Sequence, residues 1–427
     1  MNEFFLHFVW QNQYFNKRSL QTVSNQSIEI KKVGHVNNLA GPDFKEAYIS
    51  IEAMHWFGSV EVHIRSSDWN RHNHSGDPNY ENVILHVVYE YDQAIYDSSG
   101  NEIPTLALKG LIKPGLLDRY HDLMNGDGFV ACAQSFRRVR SITKLSMLER
   151  TVIERVERKS IIINEILNRT RNDWEETTYQ WFAQSLGFKI NAENMMTLAQ
   201  SVPIKILLKH GSLFQIEALL FGASGLLNID FEDDYPNRLK QEYLFLKAKY
   251  GIRESLSFNQ WHFSGTRPTN FPTIRMAQLA AIIHKHQNLF SLFTEFREFK
   301  NLKQALDLEV SEYWKTHYNF QSPSSRKLGK LTSGNIHHVI INVSVLLLVS
   351  LSKRNDDPTI LDKALNLLIS LPKETNGMIN QWMDLGWNTS SAYDSQGLIE
   401  LTNRYCKKKK CLECAIGTEL MTSSLPS

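Results

Sequence analysis

Between Gly41 and Tyr91 the chain sets the acids Asp43 and Glu61 and several histidines among three strand-like runs. Asp43 stands just before one run, and Glu61 and His63 alternate with Val60, Val62 and Ile64 inside the next. Strand alternation puts Glu61, His63 and Arg65 on one face and the aliphatic side chains on the other. Neighbouring strands lie about 4.8 Å apart, so Asp43 and Glu61 can converge on one hard cation. Mg²⁺ or Mn²⁺ needs only one or two such carboxylates and keeps water and phosphate oxygens in its other positions. A cation held there polarises a phosphoryl group and generates hydroxide. His63, two residues beyond Glu61, is placed to orient or activate that water.

A second chemistry competes for the same stretch. His35, His55, His63, His72, His74 and His86 all fall within it or just before it. His63, Asp68, His72 and His74 could form a zinc site, neutral imidazole being the commonest zinc ligand. His86 lies in an apolar run and reads as a hydrogen-bonded core histidine. The tail supplies a third candidate, Cys406-x4-Cys411-x2-Cys414, with Cys132 far upstream as the remaining cysteine. Four thiolates would accept zinc or an iron–sulfur cluster. Lys407–Lys410 between the first two is read as a solvated face that can also meet phosphates. Arg267 and Arg275 flank a proline-stiffened turn at a helix start, where two arginines can hold a phosphate.

The elements that must position these groups divide the chain. Residues 3–15 read as a short buried helix, followed by strands near 27–31, 47–52, 60–65 and 82–89 and an edge strand at 103–108. Asn82–Tyr89 is apolar on both faces, as a central strand would be. From about residue 140 the period becomes helical, beginning with a long amphipathic helix. Further helices are expected near 176–188, 192–200, 213–222, 239–248, 274–300, 302–316, 336–352, 359–370, 376–385 and 395–405. The fold class is therefore α+β, with a mixed-sheet domain over 1–135 and a larger helical domain over 136–427 that ends in the cysteine tail.

The order helix, three strands, crossover, strand resembles the PD-(D/E)XK nuclease superfamily, of restriction-endonuclease type. The resemblance makes Pro42-Asp43 the PD element and Glu61-Val62-His63 the (D/E)-x-K element, and gives Glu3 the place of an additional helix-borne acid ligand. It implies a metal-dependent nuclease acting on DNA or RNA, with residues 67–80 supplying the crossover helix. His63 departs from the pattern by standing where lysine is usual, and Lys45 or Arg65 would then supply the missing cation. Asp68, His72 and His74 join them as candidate substrate contacts. The phrases LHFVWQ, AGPDF, GSVEVHIRSSDW, NVILHVVYE, RP-x-NFP-x-x-R and C-x2-CAIG together resemble one bacterial domain-of-unknown-function family along essentially the whole chain. The alternatives to a nuclease are a non-catalytic nucleic-acid or protein-binding module on the same fold and a His-ligated zinc hydrolase.

Composition bounds these readings. A net charge of +2 gives no global argument for nucleic acid, leaving only local patches. The apolar N-terminus has an acid at Glu3 and no basic leader, which argues against a signal peptide. Val339–Leu351 is too short for a bilayer's roughly 20 residues and reads as a buried helix. Cysteine usage points to a reducing cytoplasm, without disulfides or membrane attachment.

Overall fold

The computed structural model describes residues 1–325 and 327–423. It is α+β, with a mixed sheet near the N-terminus and a larger helical region. Two compact units emerge. The first comprises residues 1–149, 384–387 and the segment from 401 onward; the second comprises 150–383 and 388–400. The cysteine tail, expected to close the helical part, thus belongs with the sheet.

In the first unit, α1 (Glu3–Gln11) is followed by β1 (Ile28–Lys32), β2 (His35–Val36), β3 (Phe44–Ile51), β4 (Met54–Arg65), β5 (Val83–Glu90) and β6 (Thr105–Ala107). The sheet runs β1-β3-β4-β5-β6, with β2 also paired to β3. The β1–β3 and β3–β4 pairs are antiparallel, whereas β4–β5 and β5–β6 are parallel. Val60 and Val62 of β4 and Leu85 and Val87 of β5 face one core, joined there by Phe5, Leu6, Val9 and Trp10 of α1. Tyr120, Cys411 and Met421 complete that core, so residues far apart in the chain share it.

The other face of β4 and β5 is covered by the connection between them. The crossover helix expected over 67–80 is instead one turn, α2 (Asp68–Arg71), and two 3₁₀ turns, His74–Gly76 and Pro78–Tyr80. Asp77-Pro78 and the left-handed Asn73 (φ 59°) break any longer helix. Trp69, Val83, Ile95 and Ile103 form a second, small core beneath this cover.

The helical unit has its own apolar core. The helix expected over 274–300 is three helices, Pro272–Lys285, Leu289–Thr294 and Phe299–Leu306. Ser333–Asn355 runs as one helical stretch of 23 residues, long and apolar enough to cross a membrane by length and composition, yet 67% of its most apolar window is buried.

Candidate functional site

A bulge builds the first part of the site. Between Phe44 and Ala47 the β3–β4 register slips, with Glu46 in the left-handed region at φ 58°. Phe44 still pairs with Val60, which brings Asp43 alongside Glu61 and Val62. The two acids clasp each other's backbone: Asp43 N–H donates to Glu61 Oε2 at 3.0 Å, and Val62 N–H donates to Asp43 Oδ2 at 3.0 Å. His7 of α1 reaches the same Asp43 oxygen, Nε2 to Oδ2 at 3.2 Å. Burial opposes the charge on His7, but the Asp43 hydrogen bond and the carboxylates of Asp43, Glu3 and Glu61 outweigh it and raise its pKa.

The second part hangs on β4 and the crossover. Glu61 and His63 share the face away from α1 and are 5% and 2% exposed. Glu61 Oε1 faces His63 Nε2 at 3.5 Å and His74 Nε2 at 3.4 Å. His63 Nε2 lies 3.1 Å from His72 Nδ1, and His63 Nδ1 lies 2.8 Å from His86 Nε2 on the adjacent strand. Among the described residues, His63, His72 and His74 each offer one ligand nitrogen, all within 4.8 Å of one another. His74 Nε2 is buried with no hydrogen-bond partner, and so is His86 Nδ1. His72 is exposed and opens the cluster to solvent.

Trp69 and Tyr80 hold the crossover in place. Trp69 donates Nε1–H to Ser75 Oγ at 2.9 Å, and Ser75 donates onward to the Tyr96 carbonyl at 3.0 Å. The indole edges onto His74 and His86, and Tyr80 stacks on His74 with ring centroids 3.8 Å apart. Burial first, then the charges of His74 and His72, lower the His63 pKa to about 3. Its ring is neutral at ordinary pH, the form that binds metals. Burial raises the Glu61 pKa, and the neighbouring Asp43 charge adds to the effect.

Donors about a zinc-like ion at bond lengths of 2.0–2.2 Å sit roughly 3.3 Å apart along a tetrahedral edge. Three separations lie near that spacing, 3.1 Å for His63–His72 and 3.5 and 3.4 Å from Glu61 to His63 and His74. The group whose ligand atoms all fall within 4.8 Å of one another among the described residues is His63, His72 and His74. Residues 3–377 match a family described as "Protein of unknown function (DUF2851)". The chain belongs to that family. No curated protein and no solved structure matches it. The DUF2851 match takes in every residue of the histidine cluster and ends before the three clustered cysteines.

The other expected site residues of this DUF2851 chain are distributed as follows. Asp68 is not among the converging donors. Its carboxylate accepts Arg65 N–H at 3.1 Å and pairs with Arg71 at 2.9 Å. Glu3 is half-buried on the first turn of α1, near enough for its charge to act on His7. Lys45 and Arg65 are exposed on β3 and at the end of β4. Arg267 is exposed in the helical unit, but Arg275 is 1% exposed and cannot receive a phosphate from solvent. Its guanidinium is spent on Asn270 Oδ1 at 2.5 Å, Gln278 Oε1 at 2.7 Å and the Phe188 ring. Cys132, Cys406, Cys411 and Cys414 line a common cavity. His7 and Tyr80 lie outside the residues that the sequence motifs single out. The signal for His7 was a basic residue within an otherwise apolar helix.

Proposed function

We propose that this chain is a metal-dependent hydrolase of phosphodiesters, with a transition-metal ion held by Glu61, His63, His72 and His74. The observation that carries the reading is the cluster of His63, His72 and His74 ligand nitrogens within 4.8 Å of one another, with the buried His74 Nε2 and His63 Nε2 both facing Glu61 Oε1 at 3.4 and 3.5 Å. Three imidazoles and one carboxylate favour Mn²⁺ or Zn²⁺ over Mg²⁺, which prefers an all-oxygen shell. With four protein donors, such an ion would have to take a fifth or sixth ligand, or release one donor, to bind water; it would then supply Lewis acidity and a hydroxide nucleophile. His86 orients His63 from behind, as outer partners of ligating histidines do. Asp43 orients His7, which can give a proton to the departing oxygen.

A nucleic-acid substrate draws support from the order of elements, a helix, antiparallel strands, a crossover of short turns and a parallel strand, together with the sequence resemblance of Asp43 and Glu61 to the PD-(D/E)XK acids. A reducing cytoplasm, where thiols persist, belongs to the same reading. One observation favours a non-cleaving module instead: His63, in the place of the superfamily lysine, is a neutral ring buried among other imidazoles.

The test is cleavage of single- and double-stranded DNA and RNA by the full chain with Mn²⁺, Zn²⁺ or Mg²⁺. Cleavage should require metal and vanish in Glu61→Ala and His72→Ala while circular dichroism stays unchanged. Nucleic-acid binding without cutting would establish the module. Failure of calorimetry to detect any metal bound to the wild type would overturn the centre itself.

A further inference from the structure

All four cysteines of the chain line one small cavity of about 20 Å³ in the sheet-bearing unit, together with Lys410 and Gly417. All four are thiols; Cys411 and Cys414 are buried, and Cys132 and Cys406 are half-buried. Two separate stretches of chain bring them there. Cys132 ends a loop that closes so tightly at Gly126 that a β-carbon there would lie 2.2 Å from the Ala131 carbonyl oxygen. Cys406 ends the wide helical turn Leu401–Cys406. Lys410 N–H then bonds the Tyr405 carbonyl at 3.0 Å, and left-handed Lys409 (φ 51°) reverses the chain.

Cys411 opens a single 3₁₀ turn, and Cys414 is the N-cap of the helix Ala415–Thr422. That helix packs on the Cys411 turn through Gly417, where a β-carbon would lie 2.1 Å from the Cys411 carbonyl oxygen. Two close approaches open only to glycine therefore draw both cysteine-bearing segments inward. Lys409 Nζ ties them together by donating to the Met124 carbonyl at 2.8 Å.

Buried cysteine also serves as a small apolar filler. That role does not account for every cysteine of a 427-residue chain lining one cavity from positions 132 and 406–414. Nor does it account for the lysine run Lys407–Lys410, which borders the cavity at Lys410. Four thiolates would leave a bound metal centre with net negative charge; Lys410 is already paired with Glu413 at 2.9 Å, and Lys409, whose charge acts on Cys411, is placed to offset it.

We propose that Cys132, Cys406, Cys411 and Cys414 form a four-thiolate site for a thiophilic metal centre, either a zinc ion or an iron–sulfur cluster. The centre fastens the C-terminal segment to the sheet-bearing unit, and loading it releases the thiol protons. This site is independent of the histidine centre and of any hydrolase activity.

Full-length protein purified without oxygen is assayed for zinc, iron and acid-labile sulfide, beside Cys406→Ser, Cys414→Ser and His72→Ala. The expected result is about one equivalent of zinc, or iron with matching sulfide, that survives His72→Ala and is lost from each cysteine variant whatever metal the histidine centre retains. Should those variants unfold, the wild type carries the test alone. Co²⁺ reconstitution should give a sulfur-to-cobalt charge-transfer band with intense tetrahedral d–d bands, or iron and sulfide should give a broad visible absorption. The site is overturned by a wild type that shows neither signature after both reconstitutions. It is equally overturned by a metal content that natively folded cysteine variants leave unchanged.

Discussion

His63 Nδ1 and His86 Nε2 lie 2.8 Å apart, and the proposed metal centre requires Nδ1 to be the donor across that contact. With Nδ1 donating to His86, Nε2 presents its lone pair toward His72 and Glu61. Replacing His86 by Leu should therefore weaken metal binding about 10–100-fold, measured by calorimetry, although His86 itself touches no ion. Glu61→Gln addresses the same centre from another side. The metal-free variant should melt above the wild type because a buried carboxylate has been neutralised. Added metal should then stabilise only the wild type, by about 2.7 kcal/mol when the free ion is 100 times its Kd. An equal thermal shift in both proteins would show that the ion binds elsewhere. At this scale the histidines were legible by type, and His72-x-His74 by spacing. Asp68, expected beside them, is engaged locally by Arg65 N–H and Arg71. A polar residue three positions along a turn more often satisfies its own backbone than a distant ion.

The strands were the readable elements. Alternation through Val60–Arg65 identified the central strand and its two faces, although a bulge set by Glu46 at φ 58° decides what Asp43 meets. Helix breaks were harder to see. The run from 274 to 300 keeps its apolar period, but Asn288 caps a new helix and Glu175 accepts Leu289 and Phe290 N–H at 2.7 and 2.9 Å. A long-range acid that caps a helix leaves no local trace in sequence. Elsewhere in the helical unit, Leu213–Ala223 carries Glu217, fully buried and accepting hydrogen bonds from Tyr235 and Ser311. Burial pushes its pKa up to about 7, against those bonds. The folded form thus holds a proton that the unfolded chain, at the ordinary 4.5, gives up. The associated stability is complete below about pH 4.5 and is lost as pH rises toward 7, a span worth on the order of 3 kcal/mol. Glu217→Gln should flatten that part of the pH–stability curve in urea titrations. An unchanged slope would mean that Glu217 is ionised in the folded protein.

At the scale of the molecule, the first unit is not contiguous in sequence. Its core takes Phe5 and Tyr120 from one end of the chain and Cys411 and Met421 from the other. Glu419 strengthens the join by accepting Arg140 N–H at 2.8 Å and the Thr143 hydroxyl. A fragment ending at residue 149 should therefore lack dispersed amide NMR signals and bind ANS, and fusing 401–423 through a flexible linker should restore a folded spectrum. A fragment that folds unaided would show that the tail adds nothing essential. The expected boundary near residue 135 followed the change from period 2 to helical period, which marks local structure and says nothing about which distant segment returns.

The interleaved core also imposes an order on biosynthesis. Some 250 residues separate Glu149 from Leu401, and a ribosome working at about 5–20 residues per second needs roughly 13–50 s to translate them. Throughout that interval the nascent sheet waits with Phe5 and Tyr120 uncapped, while the helical unit's core accumulates behind it. Chains that stall before residue 411 would expose that apolar surface and offer a chaperone or protease a ready mark, so completed translation becomes a condition for assembling the sheet-bearing unit.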